Sequence, residues 1–284
     1  MSDGTYKQIR YEMAAVGVVR ITLARADTRN AQDYLMLHEL DEAFQRATTD
    51  DDVRVIILAA DGPHFSSGHD LTNTATGADF DSVAMTGGYA KPAQEGHMAN
   101  EEEFYLGMSW RWRNIPKPTI AQVQGKVIAG GLLLVWPCDL IIASDDASFS
   151  DPTVALALNG IEYHTHAWEL GARRAKEMLF RGNALSAAEC ERLGMVNHVV
   201  PRDELETFTL TMASEIAERP TFGLKTAKLS VNGALEAQGQ FNAIRHAFAL
   251  HQTGHAQARI LFDGIPVDPS GVAVIRELGR KSRA

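Results

Sequence analysis

Only two cysteines occur in 284 residues, Cys138 and Cys190. Two thiols cannot build a disulfide framework, so a cytoplasmic location is the expectation. Positive charge is scarce as well. The 27 Lys and Arg stand against 36 Asp and Glu, a formal net charge of -9. A dedicated nucleic-acid binder would normally carry a basic face, and this balance argues against one. A local basic patch facing phosphates is still compatible with it. The N-terminal stretch MSDGTYKQIRYEM has no apolar signal core, which argues against secretion.

Uninterrupted apolar runs are also missing. Residues 125–144 (GKVIAGGLLLVWPCDLIIAS) have the length of a membrane span. Gly130, Gly131 and Pro137 break the run, and Lys126 and Asp139 lie inside it. A buried segment of an α/β core is the better expectation, with no membrane partner. The chain has no GxGxxG after a strand, no GxxxxGK[ST], no HExxH and no GxSxG. Phosphate hydrolysis, Rossmann-type redox chemistry and serine hydrolysis therefore lose their main support.

Strand and helix patterns alternate over the first 200 residues. Residues 16–23 (VGVVRITL) read as a strand, and 53–59 (VRVIILA) as a strand buried on both faces. Between them, residues 30–48 place Leu35, Leu37, Leu40 and Phe44 at roughly helical spacing. A polar stretch, 72–100, reads as a long functional loop. Helix is expected over 101–114, strands over 119–127 and 140–143, helix over 168–181 and a short strand over 196–200. Ser186 and Glu189 form a capping box for a further helix. From 203 onward the chain reads as helical, apart from DGIPVDPSG. The pattern predicts an α/β layered core with parallel strands.

Two glycine turns follow strands, FSSGHDL at 65–71 and IAGGL at 128–132. Ligands of parallel α/β folds gather outside the carboxyl ends of strands, and glycine lets backbone N–H groups approach them. Two such donors aimed at one point would make an oxyanion hole. Either turn alone is more simply an ordinary strand exit.

Together these turns resemble those of the crotonase (enoyl-CoA hydratase/isomerase) superfamily. ITLARADTRNA (21–31) looks like its N-terminal strand and acyl-CoA loop. FSSGHDL looks like the first oxyanion motif, and residues 115–152 look like the second with its flanking strands. ALSAAECERLGMVNHVVP (184–201) looks like the later helix-strand segment. The resemblance implies a spiral of ββα turns over residues 1–205 and a helical trimerisation region over 206–284. It implies a homotrimer or a dimer of trimers. It also implies an acyl-CoA thioester as substrate, with no separate cofactor, whose carbonyl is held by the backbone N–H groups of His69 and Gly130. The implied activity is that of a lyase or isomerase. CoA contacts are implied at Arg29, Ala31, Ser67, His69, Asp70 and Leu71.

Hydratases of this family resemble one another in two glutamates. Their positions fall here on Leu133 and Thr153. Leu cannot titrate, and Thr is far too weak an acid at neutral pH. Glu162, Asp151 and His164 are the nearby candidates for acid/base work, with His166 beside them. Asp151 could equally cap the turn at Pro152, and either His could be structural. Glu101, Glu102 and Glu103 read as a solvated helix start. His164 with His166, and His251 with His255, have metal-ligand spacings but no evident third ligand, so no metal is expected. Arg29 and the tail cations Arg280, Lys281 and Arg283 could meet CoA phosphates. Two other readings stay open: an acyl-CoA binder without activity, and a thioester or β-diketone hydrolase on the same fold.

Overall fold

The computed structural model describes residues 6–72, 79–80 and 87–281. Strand β1 (Ile9–Ala15) turns at Gly17, where φ is +74°, into the antiparallel β2 (Val18–Leu23). β1 is an edge strand with much of its length exposed. That explains why its sequence shows no buried run.

Helix α1 (Tyr34–Thr49) begins later than the apolar spacing predicts. Arg29 and Asn30 occupy left-handed backbone (φ 56° and 51°), so the helix cannot start there. Asp33 is its N-cap and accepts the Met36 N–H at 2.8 Å. Strand β3 (Val55–Ala60) follows. Its alternate residues serve two cores. Ile56 and Leu58 pack with α1, while Val55, Ile57 and Ala59 face the other side.

The expected long loop over 72–100 lies partly outside the described residues, and its end is helical. Helix α2 (Ala93–Glu101) runs through a π-helical turn (Glu102–Gly107) into α3 (Met108–Arg113). The strand expected over 119–127 is two strands. β4 (Thr119–Val123) and β5 (Lys126–Ile128) belong to different sheets. Gly125 separates them with φ +59°, and a Cβ there would lie 2.0 Å from the Pro63 carbonyl oxygen. Helix α4 (Leu132–Val135) leads to β6 (Leu140–Ser144) and β7 (Ser148–Ser150).

The helix expected over 168–181 is broken at Gly171 (φ +72°) into α5 (His166–Leu170) and α6 (Ala172–Arg181). β8 (Leu185–Ser186), α7 (Ala187–Leu193) and β9 (His198–Val200) complete the core. The Ser186–Glu189 capping box forms as the sequence predicts.

The main sheet runs β1-β2-β3-β4-β6-β9, parallel from β2 onward. A small sheet runs β5-β7-β8. Helix α8 (Leu205–Ala217) lays Leu205, Ala213 and Ala217 on the second face of the main sheet. The boundary expected at 205/206 falls at the start of this helix. Helices α9 (Thr221–Ala237), α10 (Gln240–Leu261) and α11 (Gly271–Lys281) form the C-terminal region. No helix among the described residues is long and apolar enough to cross a membrane.

Candidate active site

The segment after β3 is held on both sides. Ser66 bridges Val127 of β5: its N–H donates to Lys126 O (3.2 Å) and its carbonyl accepts Ile128 N–H (3.1 Å). On the other side His69 bridges Gln32. There Gln32 N–H donates to Gly68 O and Asp70 N–H to Gln32 O, each at 2.8 Å. In such a parallel bridge the partner uses the groups of the two flanking residues. The N–H of His69 therefore points away from Gln32. Gln32 Nε2 donates to Gly130 O (2.8 Å) and to Ser66 Oγ (3.1 Å), locking the two turns together. Gly68 has φ +91°, and a Cβ there would lie 2.8 Å from Ile128 O and 3.1 Å from Gly130 N. Only glycine permits this approach.

The His69 ring lies directly over Gly130, where a Cβ would meet three of its ring atoms at 2.7–2.9 Å. Tyr105, presented by the π-helical turn, stacks on the ring at 3.9 Å between centroids. His69 Nε2 lies 3.5 Å from Glu162 Oε2, and His251 Nε2 lies 3.6 Å from Glu162 Oε1. Glu162 is buried. Burial works against its charge, but His69 and His251 outweigh it and hold the carboxyl below the usual range. Among the described residues, neither ring nitrogen of His69 nor Glu162 Oε2 has a hydrogen-bond partner, although all three are buried. Orphaned buried polar atoms of this kind call for a ligand or water.

Asp151 sits apart from this cluster with both oxygens engaged. Oδ1 accepts Thr153 N–H (3.1 Å) and Thr153 Oγ1–H (2.6 Å). Oδ2 accepts Ile161 N–H (2.9 Å) and His166 Nε2–H (2.8 Å). It staples the loop that delivers Glu162. Burial opposes its charge, yet the His166 bond and charge bring its pKa down to about 2. The Thr153 hydroxyl is spent on this staple. Leu133 is buried in α4, where its carbonyl accepts Ser109 Oγ–H (3.1 Å). His164 packs on His166, at 4.2 Å between ring centroids, and against Gly160, where a Cβ would lie 2.7 Å from its ring. Burial and the neighbouring His166 push its pKa down to about 4, so it is neutral at pH 7. The structure thus joins His69, Gly130 and Glu162, and sets Asp151 and His164 apart from them.

The glutamates at the start of the helix differ from their solvated expectation. Glu101 and Glu102 are buried. Burial opposes the charge of Glu101, but His255 and His97 hold its carboxyl well below the usual range.

A separate cleft of about 460 Å³ is lined by Arg29, Ser67, Lys126, Arg276 and Arg280. The structure brings Arg29, Ser67 and Arg280 together; Arg283 lies outside the described residues, and nothing is described of the Lys281 side chain. Sequence reading missed Lys126 and Arg276. The i,i+4 spacing of Arg276 and Arg280 on one helix face was the available signal. It also missed Arg25. That side chain donates to Ala31 O (2.6 Å) and pairs with Asp33 (3.2 Å) and Asp70 (3.1 Å), so it sets the shape of the loop. Asp70 additionally caps Thr72 N–H (3.0 Å), while Leu71 is exposed.

The model of the family described as "Enoyl-CoA hydratase/isomerase" matches residues 13–260. The chain is 42% identical over 259 residues to "Putative enoyl-CoA hydratase EchA13" of Mycobacterium tuberculosis, covering 88% of this chain and 81% of that one. It is 35% identical over 207 residues to the mouse protein "Enoyl-CoA hydratase domain-containing protein 3, mitochondrial", spanning 71% of this chain and 62% of that protein's length. The crystal structure of a probable enoyl-CoA hydratase from Mycobacterium smegmatis superimposes with a TM-score of 0.83 and 49% identity, over 92% of this chain and 99% of that one. By sequence and by fold, this chain belongs to the enoyl-CoA hydratase/isomerase family of the crotonase superfamily.

Proposed function

We propose that this enzyme adds water to, or moves the double bond of, an enoyl-CoA thioester by way of an enolate. The N–H groups of His69 and Gly130 would hold the thioester oxygen as negative charge develops on it. Glu162, set by His69, would take a proton from water as the water oxygen bonds to the β carbon. The electron pair of the double bond moves to the carbonyl, and the enolate then collapses as the α carbon takes back the proton held by Glu162, which regenerates the carboxylate. Leu133 and Thr153 occupy the places of the family's usual glutamates, so one carboxylate carries the work of two. Asp151 is a positioning residue in this reading, and His164 takes no proton.

The observation that carries the proposal is the His69–Glu162 pair over Gly130, in which both His69 ring nitrogens and Glu162 Oε2 are buried without a hydrogen bond among the described residues. The cationic cleft would take the CoA phosphates, and the reaction would need only the thioester and water, with no separate cofactor. The reading includes a cytoplasmic location and assembly as a homotrimer or a dimer of trimers. Exposed Phe222, Leu229 and Val231 on α9 and Leu250, Ile260 and Leu261 on α10 favour such assembly. Sedimentation velocity reads the subunit number directly.

Steady-state hydration of crotonyl-CoA and longer enoyl-CoAs tests the chemistry. Replacing Gly130 by Pro removes one donor N–H. The reading fails if no substrate turns over faster with the native chain than with Gly130→Pro. A hydrolase is the second reading, because a His-carboxylate pair also activates water for attack on the thioester carbonyl. Product analysis separates the two, since hydrolysis releases free CoA and a carboxylate.

A further inference from the structure

Two helices bring four donor side chains together beside Glu162. His97 and Glu101 are an i,i+4 pair on α2, and His251 and His255 are an i,i+4 pair on α10. His97 Nε2 lies 3.1 Å from Glu101 Oε1, and His255 Nε2 lies 3.2 Å from the same oxygen. His251 Nε2 lies 3.0 Å from His255 Nε2. The donors of His97, Glu101 and His255 all fall within 4.8 Å of one another. Glu101, His251 and His255 are buried.

The outer contacts fix which nitrogens face inward. His251 Nδ1 lies 2.8 Å from Gly160 O, and His255 Nδ1 lies 2.6 Å from Pro266 O. A carbonyl oxygen can only accept, so both rings carry their hydrogen on Nδ1. Both Nε2 lone pairs then face each other across 3.0 Å. That arrangement is repulsive unless something positive lies between them. An Nδ1–H donating to a carbonyl is the outer contact that orients metal-binding histidines. Gln252 Nε2 fixes the carboxylate in the same way, donating to Glu101 Oε2 at 2.6 Å. Metal–ligand bonds of about 2.0–2.1 Å in a tetrahedron give ligand edges of about 3.3 Å. The His97–Glu101 and His255–Glu101 separations of 3.1 and 3.2 Å lie close to that.

We propose that His97, Glu101 and His255 form a binding site for one divalent transition-metal ion of the zinc class. Imidazole and carboxylate donors suit Zn²⁺ and its neighbours. Three protein ligands from two helices would fasten α2 to α10 and leave a fourth position for water. The sequence shows the i,i+4 pair His251 and His255 but not the further ligands, because His97 and Glu101 lie on α2, far away along the chain. The proposal is independent of the thioester chemistry.

The test uses untagged full-length protein stripped with EDTA and titrated with Co²⁺ and with Zn²⁺. The expected result is one ion per chain by elemental analysis, visible absorption from bound Co²⁺, and a melting temperature that rises with Zn²⁺. His97→Ala, whose side chain is partly exposed, should keep the native circular dichroism and weaken binding by about 10–100-fold. His255→Gln should do the same. Absence of Co²⁺ absorption and of any Zn²⁺-dependent melting shift in the native protein would overturn the proposal and assign a shared proton to the gap. Equal binding by the native and His97→Ala chains would overturn it as well.

Discussion

Glu162 Oε2 and His69 Nε2 approach to 3.5 Å, and the Tyr105 ring stacks on the same imidazole at 3.9 Å. The imidazole is therefore confined by a carboxylate, an aromatic ring and the backbone of Gly130. Glu162→Gln keeps the shape of the carboxylate and removes its basicity. We expect kcat for enoyl-CoA hydration to fall by about 10²–10⁴-fold, with KM little changed. Activity within twofold of native would remove Glu162 from the chemistry.

Gly130→Ala tests the contact from the other side. The added methyl would meet the His69 ring at 2.7–2.9 Å, and the ring is a side-chain end that can swing away. The expected outcome is a folded protein with a displaced His69. Thermal stability should change by roughly 1 kcal/mol or less, while kcat drops by about tenfold or more. A large loss of stability with unchanged kcat in the surviving fraction would contradict this geometry.

The Asp151 staple should appear in acid. Its pKa is lowered to about 2 in the fold, from an ordinary value of 3.8. A depressed carboxyl contributes stability that is present above its unfolded pKa and lost as pH falls through its folded one. The window is therefore about pH 4 down to pH 2, and the contribution about 2 kcal/mol. Asp151→Asn should lose this share at pH 7, and its stability should fall less steeply across the window. Urea unfolding at several pH values measures both. Parallel pH profiles for the native and variant chains would count against the staple.

The cationic cleft makes a prediction about binding alone. Arg276→Ala and Arg280→Ala should each raise KM for CoA thioesters by up to about fivefold, roughly 1 kcal/mol for exposed charges, and less at high salt. Thioesters of pantetheine lack the nucleotide phosphates and should show no such change. A fall in kcat for both substrates would place these residues elsewhere in function.

Much of this arrangement was legible in the sequence, for physical reasons. VRVIILA announces a strand with two buried faces because both faces are packed, by α1 and by α8. Ser186 and Glu189 announce a helix start because their bonds are local. The pairing of FSSGHDL with IAGGL was readable only through the family resemblance; the close approach of Gly68 to Ile128 and Gly130 is its physical counterpart. What escaped depends on distance along the chain. β1 is an edge strand without an apolar run, and β7 and β8 are strands of three and two residues held by short ladders of the small sheet. Asp151 looked like an acid/base candidate until both its oxygens were accounted for. Glu101 looked solvated because its neighbours in sequence are polar, whereas its neighbours in space are three histidines.

The π-helical turn at Glu102–Gly107 has one further consequence. Met108 N–H reaches back to Glu103 O, five residues away rather than four. One extra residue is thereby absorbed without ending the helix. In an α-helix each residue advances the rotation by about 100°. The wide turn thus acts as a phase shifter between two faces of one rod. Upstream, His97 and Glu101 point at α10; downstream, the sequence reaches α3 on a different phase, with Tyr105 over His69 in between. Deleting a single residue here would leave a longer, more regular helix and still disconnect these two faces, so regularity and function are opposed at this point in the chain.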